Sequence, residues 1–103
     1  MKKLLLLTTL LAGALAAGPA LADLKLAQSK NCMACHAADK KLVGPSYKSI
    51  AEKYAGQKDA VDKLATKVIK GGAGVWGPVP MPANAQVSPD EAKKLVTWIL
   101  ATK

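Results

Sequence analysis

Cys32-Met33-Ala34-Cys35-His36 is the stretch on which the reading of this chain turns. It contains both cysteines and the single histidine of the 103-residue sequence. Cys-x-x-Cys-His is the attachment signal of c-type haem. Two thiols add to the two vinyl groups of the porphyrin, and the adjacent imidazole ligates the iron from one face. The spacing has a geometric basis. In helical or near-helical backbone, positions i, i+3 and i+4 share a face, so Cys32, Cys35 and His36 point at one object.

Other uses of these residues fit less well. A thioredoxin-type dithiol also uses Cys-x-x-Cys in exported proteins, but that fold needs strands alternating with helices, and this chain reads as helical. A structural zinc site needs about four nitrogen or sulfur ligands, and the cluster offers three, all in one short segment. A disulfide between Cys32 and Cys35 closes a tiny loop and leaves the histidine without a role. A haem-free dithiol protein is the alternative that absence of a Soret band identifies.

Upstream, residues 1–22 read as a secretory signal peptide. Lys2 and Lys3 form the positive end, and Leu4 to Ala17 is an apolar run interrupted only by two threonines. Ala20-Leu21-Ala22 is a small-residue cleavage site, which places the mature domain at 23–103. A membrane span needs about 20 apolar residues, and this run is shorter and breaks at Gly18-Pro19. The expected location is therefore the periplasm, with no membrane insertion once mature. Residues 23–103 suffice for one small domain, a size that gains from a bound group. With no Phe, two Trp and two Tyr, the chain lacks bulky core residues, and a flat apolar cofactor would supply that volume.

The full chain carries a formal charge of +8, and residues 23–103 keep thirteen lysines, no arginine and seven acids, a net +6. Nucleic acid is the habitual partner of such a balance. Export argues against it, as does the lack of a basic run with interleaved aromatics. Solubility, or electrostatic steering toward an acidic partner, accounts for the excess.

Along the mature region, Asp23 is placed to cap a first helix running through Leu24, Leu26 and Ala27 toward Cys35. Lys40 to Gly44 reads as a loop closed by Gly44-Pro45. Ser46 to Tyr54 fits a short helix, with Gly56 beyond it as a stop. Asp59 to Lys70 is amphipathic, with Val61, Leu64, Ala65, Val68 and Ile69 on one face. Gly71 to Val87 is rich in glycine and holds Pro78, Pro80 and Pro82, which predicts a stiff loop with no strand. Ser88-Pro89-Asp90-Glu91 is a capping box with proline at the first helical position. It opens a last helix whose apolar face is Ala92, Leu95, Val96, Ile99 and Leu100. The expected fold class is all-α, three main helices plus one short one, in a single domain.

Elimination among three methionines supplies a second iron ligand. Met1 belongs to the signal peptide. Met33 lies between the cysteines, on the histidine's side, and cannot reach the opposite face. Met81 remains, in Pro80-Met81-Pro82, 45 residues after His36. The flanking prolines restrict the backbone, so the sulfur is presented with little entropy to lose. Thioether ligation raises the haem potential.

The chain resembles the small bacterial monohaem class I cytochromes c of the c-551/c-552 type over its whole mature length. The resemblance rests on Cys32-Met33-Ala34-Cys35-His36, Val43-Gly44-Pro45, Gly74-Val75-Trp76-Gly77-Pro78, Pro80-Met81-Pro82 and the final helix with Trp98-Ile99-Leu100. It implies the class I cytochrome c fold wrapped around one covalently attached haem c. It further implies that the Pro45 carbonyl accepts from the free ring N–H of His36, that the Trp76 indole donates to a haem propionate, and that Asn84 lies near the Met81 sulfur. Two departures are visible: Ala83 stands where the family often has proline, and Ala85-Gln86-Val87 is one residue longer than in many members.

A haem iron held by His36 and Met81 has no open position, so the expected function is electron carriage rather than catalysis. The implied partners are redox proteins: a membrane cytochrome complex as donor, and an oxidase, nitrite reductase or peroxidase as acceptor, met by a monomer. Lys30, Lys40, Lys41 and Lys48 are the candidates for steering at the exposed haem edge. The alternative is a haem peroxidase or gas sensor in which Met81 is labile.

Overall fold

The computed structural model describes residues 18–103; residues 1–17, with most of the expected signal peptide, lie outside the described residues. The helices are α1 (Gly18–Ser29), α2 (Tyr47–Tyr54), α3 (Ala60–Lys70) and α4 (Pro89–Leu100), with a hairpin of β1 (Gly72–Gly74) and β2 (Gly77–Met81) between the last two.

Helix α4 is the centre of the packing and touches α1, α2 and α3. Its start is fixed by the expected capping box: the Glu91 N–H donates to Ser88 Oγ at 3.2 Å, and the Ser88 N–H donates to Glu91 Oε1 at 3.0 Å. From there Ala92, Leu95 and Val96 point inward and join Ala27, Ala65 and Val87 in the buried core. Ala27 and Ala92 are both fully buried, and side chains this small let α1 and α4 approach closely. Leu95 and Val96 each contribute roughly 1.5–3 kcal/mol by leaving water.

Two expectations need correction. Helix α1 begins upstream of Asp23 and ends at Ser29 instead of continuing toward Cys35. Asn31 has φ 64°, in the left-handed region. Asparagine tolerates that conformation because its short side chain can bond locally, but it breaks the helical ladder before Cys32.

The second correction concerns 72–81, read from sequence as strandless. β1 and β2 pair antiparallel, Gly72 with Met81 and Gly74 with Gly77. Pro78 and Pro80 do not prevent the pairing. They lie two apart, so both missing N–H groups fall on one edge of β2, while Gly77 and Met81 face β1 on the other. Proline is admissible on such an unpaired edge.

Candidate functional site

The Cys32–His36 pentapeptide folds as one tight turn. Cys32–Ala34 forms a single 3-10 turn, and the N–H groups of Cys35 and His36 both donate to the Cys32 carbonyl, at 3.2 and 3.1 Å. Both cysteines are free and half-buried. Burial pushes the Cys32 thiol above its ordinary range.

The chain then returns over this turn. Gly44 N–H donates to the Cys35 carbonyl at 2.8 Å, and the next residue, Pro45, puts its carbonyl 2.7 Å from His36 Nδ1. A carbonyl only accepts, so the proton belongs on Nδ1 and the lone pair on Nε2, the tautomer suited to a metal. Gly44 lies directly against the imidazole. A Cβ there would stand 2.6 Å from His36 Cε1, so no side chain fits without moving the ring.

Tyr47 completes the support of His36. Its ring stacks on the imidazole with centroids 5.4 Å apart, and it also meets Trp98 edge-on. It is 2 % exposed, and burial holds its phenol far above the usual range. Its hydroxyl donates to Met33 Sδ at 3.5 Å, so Met33 is turned toward the core it packs against.

Met81 ends β2 and is half-buried. The backbone crosses over Gly71, whose φ is 71°. A Cβ at Gly71 would collide with the Met81 carbonyl and stand 2.8 Å from Ala83 N. Asn84 anchors the loop that follows: its N–H donates to the Ile69 carbonyl at 3.0 Å, and its Nδ2 donates to the carbonyls of Val68 at 3.0 Å and Pro82 at 3.2 Å. Trp76, in the hairpin turn, is 43 % exposed and carries Lys53 Nζ 5.4 Å from its ring.

These residues share one cavity of about 620 Å³, lined by Cys32, Cys35, His36, Pro45, Trp76, Met81 and Asn84. Its apolar wall includes Ile50, Leu64, Val68, Leu95 and Ile99. The helical periodicity placed Leu64, Val68 and Ile99 on inward faces, and they remain only half-buried: the surface they face is the cavity. Two thiols, one imidazole and one thioether on an apolar hollow of this size suit a flat iron porphyrin. Sequence reasoning assigned no role to Tyr47, and read Gly44 only as a loop closure and part of the Val43-Gly44-Pro45 motif. Their contacts with His36 have no local signature, because they arise only once the loop 37–44 has folded back onto it.

A helical shell with a covalent attachment turn opening on such a cavity defines a c-type haem protein. The family described as Cytochrome c matches residues 16–103. Among relatives, the chain is 56% identical over 87 residues to cytochrome c-552 of Hydrogenobacter thermophilus, covering 84% of this chain and 88% of that one. It is 50% identical to cytochrome c-551 of Pseudomonas aeruginosa over the full length of both chains. The crystal structure of wild-type Nitrosomonas europaea cytochrome c552 superposes with a TM-score of 0.76 at 50% identity, covering 78% of this chain and 99% of that one. The chain belongs to the cytochrome c family, as a small monohaem class I member with one covalently attached haem c.

Proposed function

We propose that this cytochrome c is a periplasmic electron carrier whose iron is held between His36 and Met81. In this reading the haem is attached through Cys32 and Cys35, and residues 1–22 are removed on export. The observation that carries it is the convergence of His36 and Met81, from elements far apart in sequence, on one apolar cavity, with His36 Nδ1 engaged by Pro45 at 2.7 Å. When bound, haem supplies a one-electron Fe(III)/Fe(II) couple that thioether ligation raises. His36 and Met81 would hold the iron, the Pro45 carbonyl fixes the His36 tautomer, and the apolar wall would exclude water. Trp76 would donate to a haem propionate, and Asn84 holds the Met81 loop in place. With no position left for a substrate, the chain carries electrons and does not catalyse.

Among the described residues, no helix is long and apolar enough to cross a membrane. Donor and acceptor are a membrane cytochrome complex and an oxidase, nitrite reductase or peroxidase, met through the haem edge near Cys32 and Cys35. Lys40, Lys41 and Lys48 are exposed, as are Leu42 and Val43, and Lys41 lines the cavity; these lysines are the candidates for steering. Lys30 is not available for steering, because its ammonium is engaged by Glu91 and the Gln86 carbonyl. Reduction by an acidic partner should slow as salt rises.

The deciding experiment is the ferric absorption spectrum. A far-red sulfur-to-iron charge-transfer band that vanishes in Met81→Ala, with haem still attached, supports the assignment. No such band at neutral pH, with ready carbon monoxide binding to the ferrous form, would favour an enzyme or sensor.

A further inference from the structure

The segments bearing His36 and Met81 are joined by a reciprocal exchange between Lys30 and Gln86, 56 residues apart. Lys30 Nζ donates to the Gln86 carbonyl at 3.0 Å, and Gln86 Nε2 donates to the Lys30 carbonyl at 3.4 Å. Lys30 lies two residues before Cys32 and directly before Asn31, whose left-handed backbone turns the chain into the attachment turn. From Gln86 the contacts run toward the other ligand. Gln86 Nε2 also donates to Asn84 Oδ1 at 3.1 Å, and Asn84 Nδ2 donates to the carbonyl of Pro82, the residue after Met81, at 3.2 Å. Both Asn84 and Gln86 line the cavity.

We propose that Lys30 and Gln86 form a clasp between the Cys32–His36 turn and the Met81 loop and are positioning residues for the Met81 sulfur. The proposal rests on Met81 being the iron's ligand. Its physical basis is the freedom of this loop. Ala83 lacks the φ restriction that proline would impose, and Pro82 to Ser88 lies outside helix and strand. A loop released in this way presents its sulfur less firmly unless something else holds it. The relay from Lys30 through Gln86 and Asn84 to Pro82 supplies that hold, and Asn84 fixes the same loop to α3 through the Val68 carbonyl. Glu91 also pairs with Lys30, at 3.5 Å, but it leads to α4 and not to the Met81 loop.

The test uses ferric holoprotein titrated with guanidinium. Loss of the far-red band reports sulfur detachment, and far-ultraviolet circular dichroism reports global unfolding. In Gln86→Ala and Lys30→Met, the detached population at a given sub-denaturing concentration should rise about threefold, the size of one exposed net hydrogen bond. The helical transition should move less. The double variant should show less than the product of the single effects, since both remove one clasp. Glu91→Gln, which leaves the exchange intact, should move both signals together. Equal displacement of both signals in the clasp variants would make the pair merely structural and overturn the proposal, as would no displacement of either. A far-red band that persists in Met81→Ala would instead reject the ligand assignment itself, and the clasp's role with it.

Discussion

The imidazole of His36 lies nearly parallel to the phenol of Tyr47, with 20° between the planes and 5.4 Å between centroids. The proposed iron ligand is thus braced by a residue that is itself 2 % exposed. Tyr47→Ala should cost about 3–5 kcal/mol of stability, as truncation of a buried aromatic does. Tyr47→Phe keeps the stack and loses only a long bond to Met33 Sδ, so it should cost no more than about 1 kcal/mol. Denaturant unfolding of the holoprotein measures both.

The same residue sets an alkaline limit. Burial raises the Tyr47 phenol above its ordinary value of 10.0, so above that pH the unfolded chain releases a proton that the folded chain keeps. The stabilising contribution is complete below about pH 10 and is lost as pH rises toward the folded value. Tyr47→Phe should flatten the fall in denaturation midpoint over that alkaline range.

Gly44 is expected to tolerate nothing larger. In Gly44→Ala the new methyl would meet His36 Cε1 at 2.6 Å, Nδ1 at 3.0 Å and Nε2 at 3.1 Å. Overpacking of this kind costs about 1–3 kcal/mol, and it turns the ring away from the Pro45 carbonyl. Both a lower denaturation midpoint and a changed reduction potential should follow. Val43→Ala, at a 57 % exposed neighbour, should stay within about 0.5 kcal/mol.

Acid should loosen the start of α4. The Ser88 N–H bonded to Glu91 holds that carboxyl below its ordinary 4.5, with Lys30 adding to the effect. The stability this contributes is full above pH 4.5 and is lost as pH falls through the depressed value. Glu91→Gln should flatten the denaturation midpoint over that acid range, and Ser88→Ala should cost about 1 kcal/mol at neutral pH.

Trp76→Phe separates a propionate contact from plain packing. The substitution keeps an aromatic face for Lys53 and deletes the indole N–H. At 43 % exposure, packing loss should stay below about 1 kcal/mol. The pH dependence of the reduction potential should change; an unaltered profile would leave Trp76 with no role toward a propionate.

Much of the site was legible because its signals are local. The Cys32–His36 spacing, the Ser88–Glu91 box and the prolines around Met81 each act within five residues. What escaped notice depends on distant partners. The hairpin was not legible because glycine and proline at 71–82 signal a stiff loop, and only the pairing of Gly72 with Met81 and Gly74 with Gly77 reveals the ribbon. Helix α1 was run on toward Cys35 because nothing in the composition marks Asn31 as left-handed. Lys30 looked like one surface lysine among several, and only its approach to Gln86 and Glu91 distinguishes it. The second Asn84 amide contact, to Val68, spans 16 residues and a helix end, beyond the reach of any pattern.

The prolines of β2 have one more effect. A two-stranded ribbon ordinarily offers its outer edge as a template for a strand of another molecule, the usual route to fibrous self-association. β2 is largely exposed along its length, and with Pro78 and Pro80 on that edge it has no amide hydrogens there to offer. A chain still awaiting its cofactor, with its apolar cavity open, would meet its own copies across a border that cannot zip.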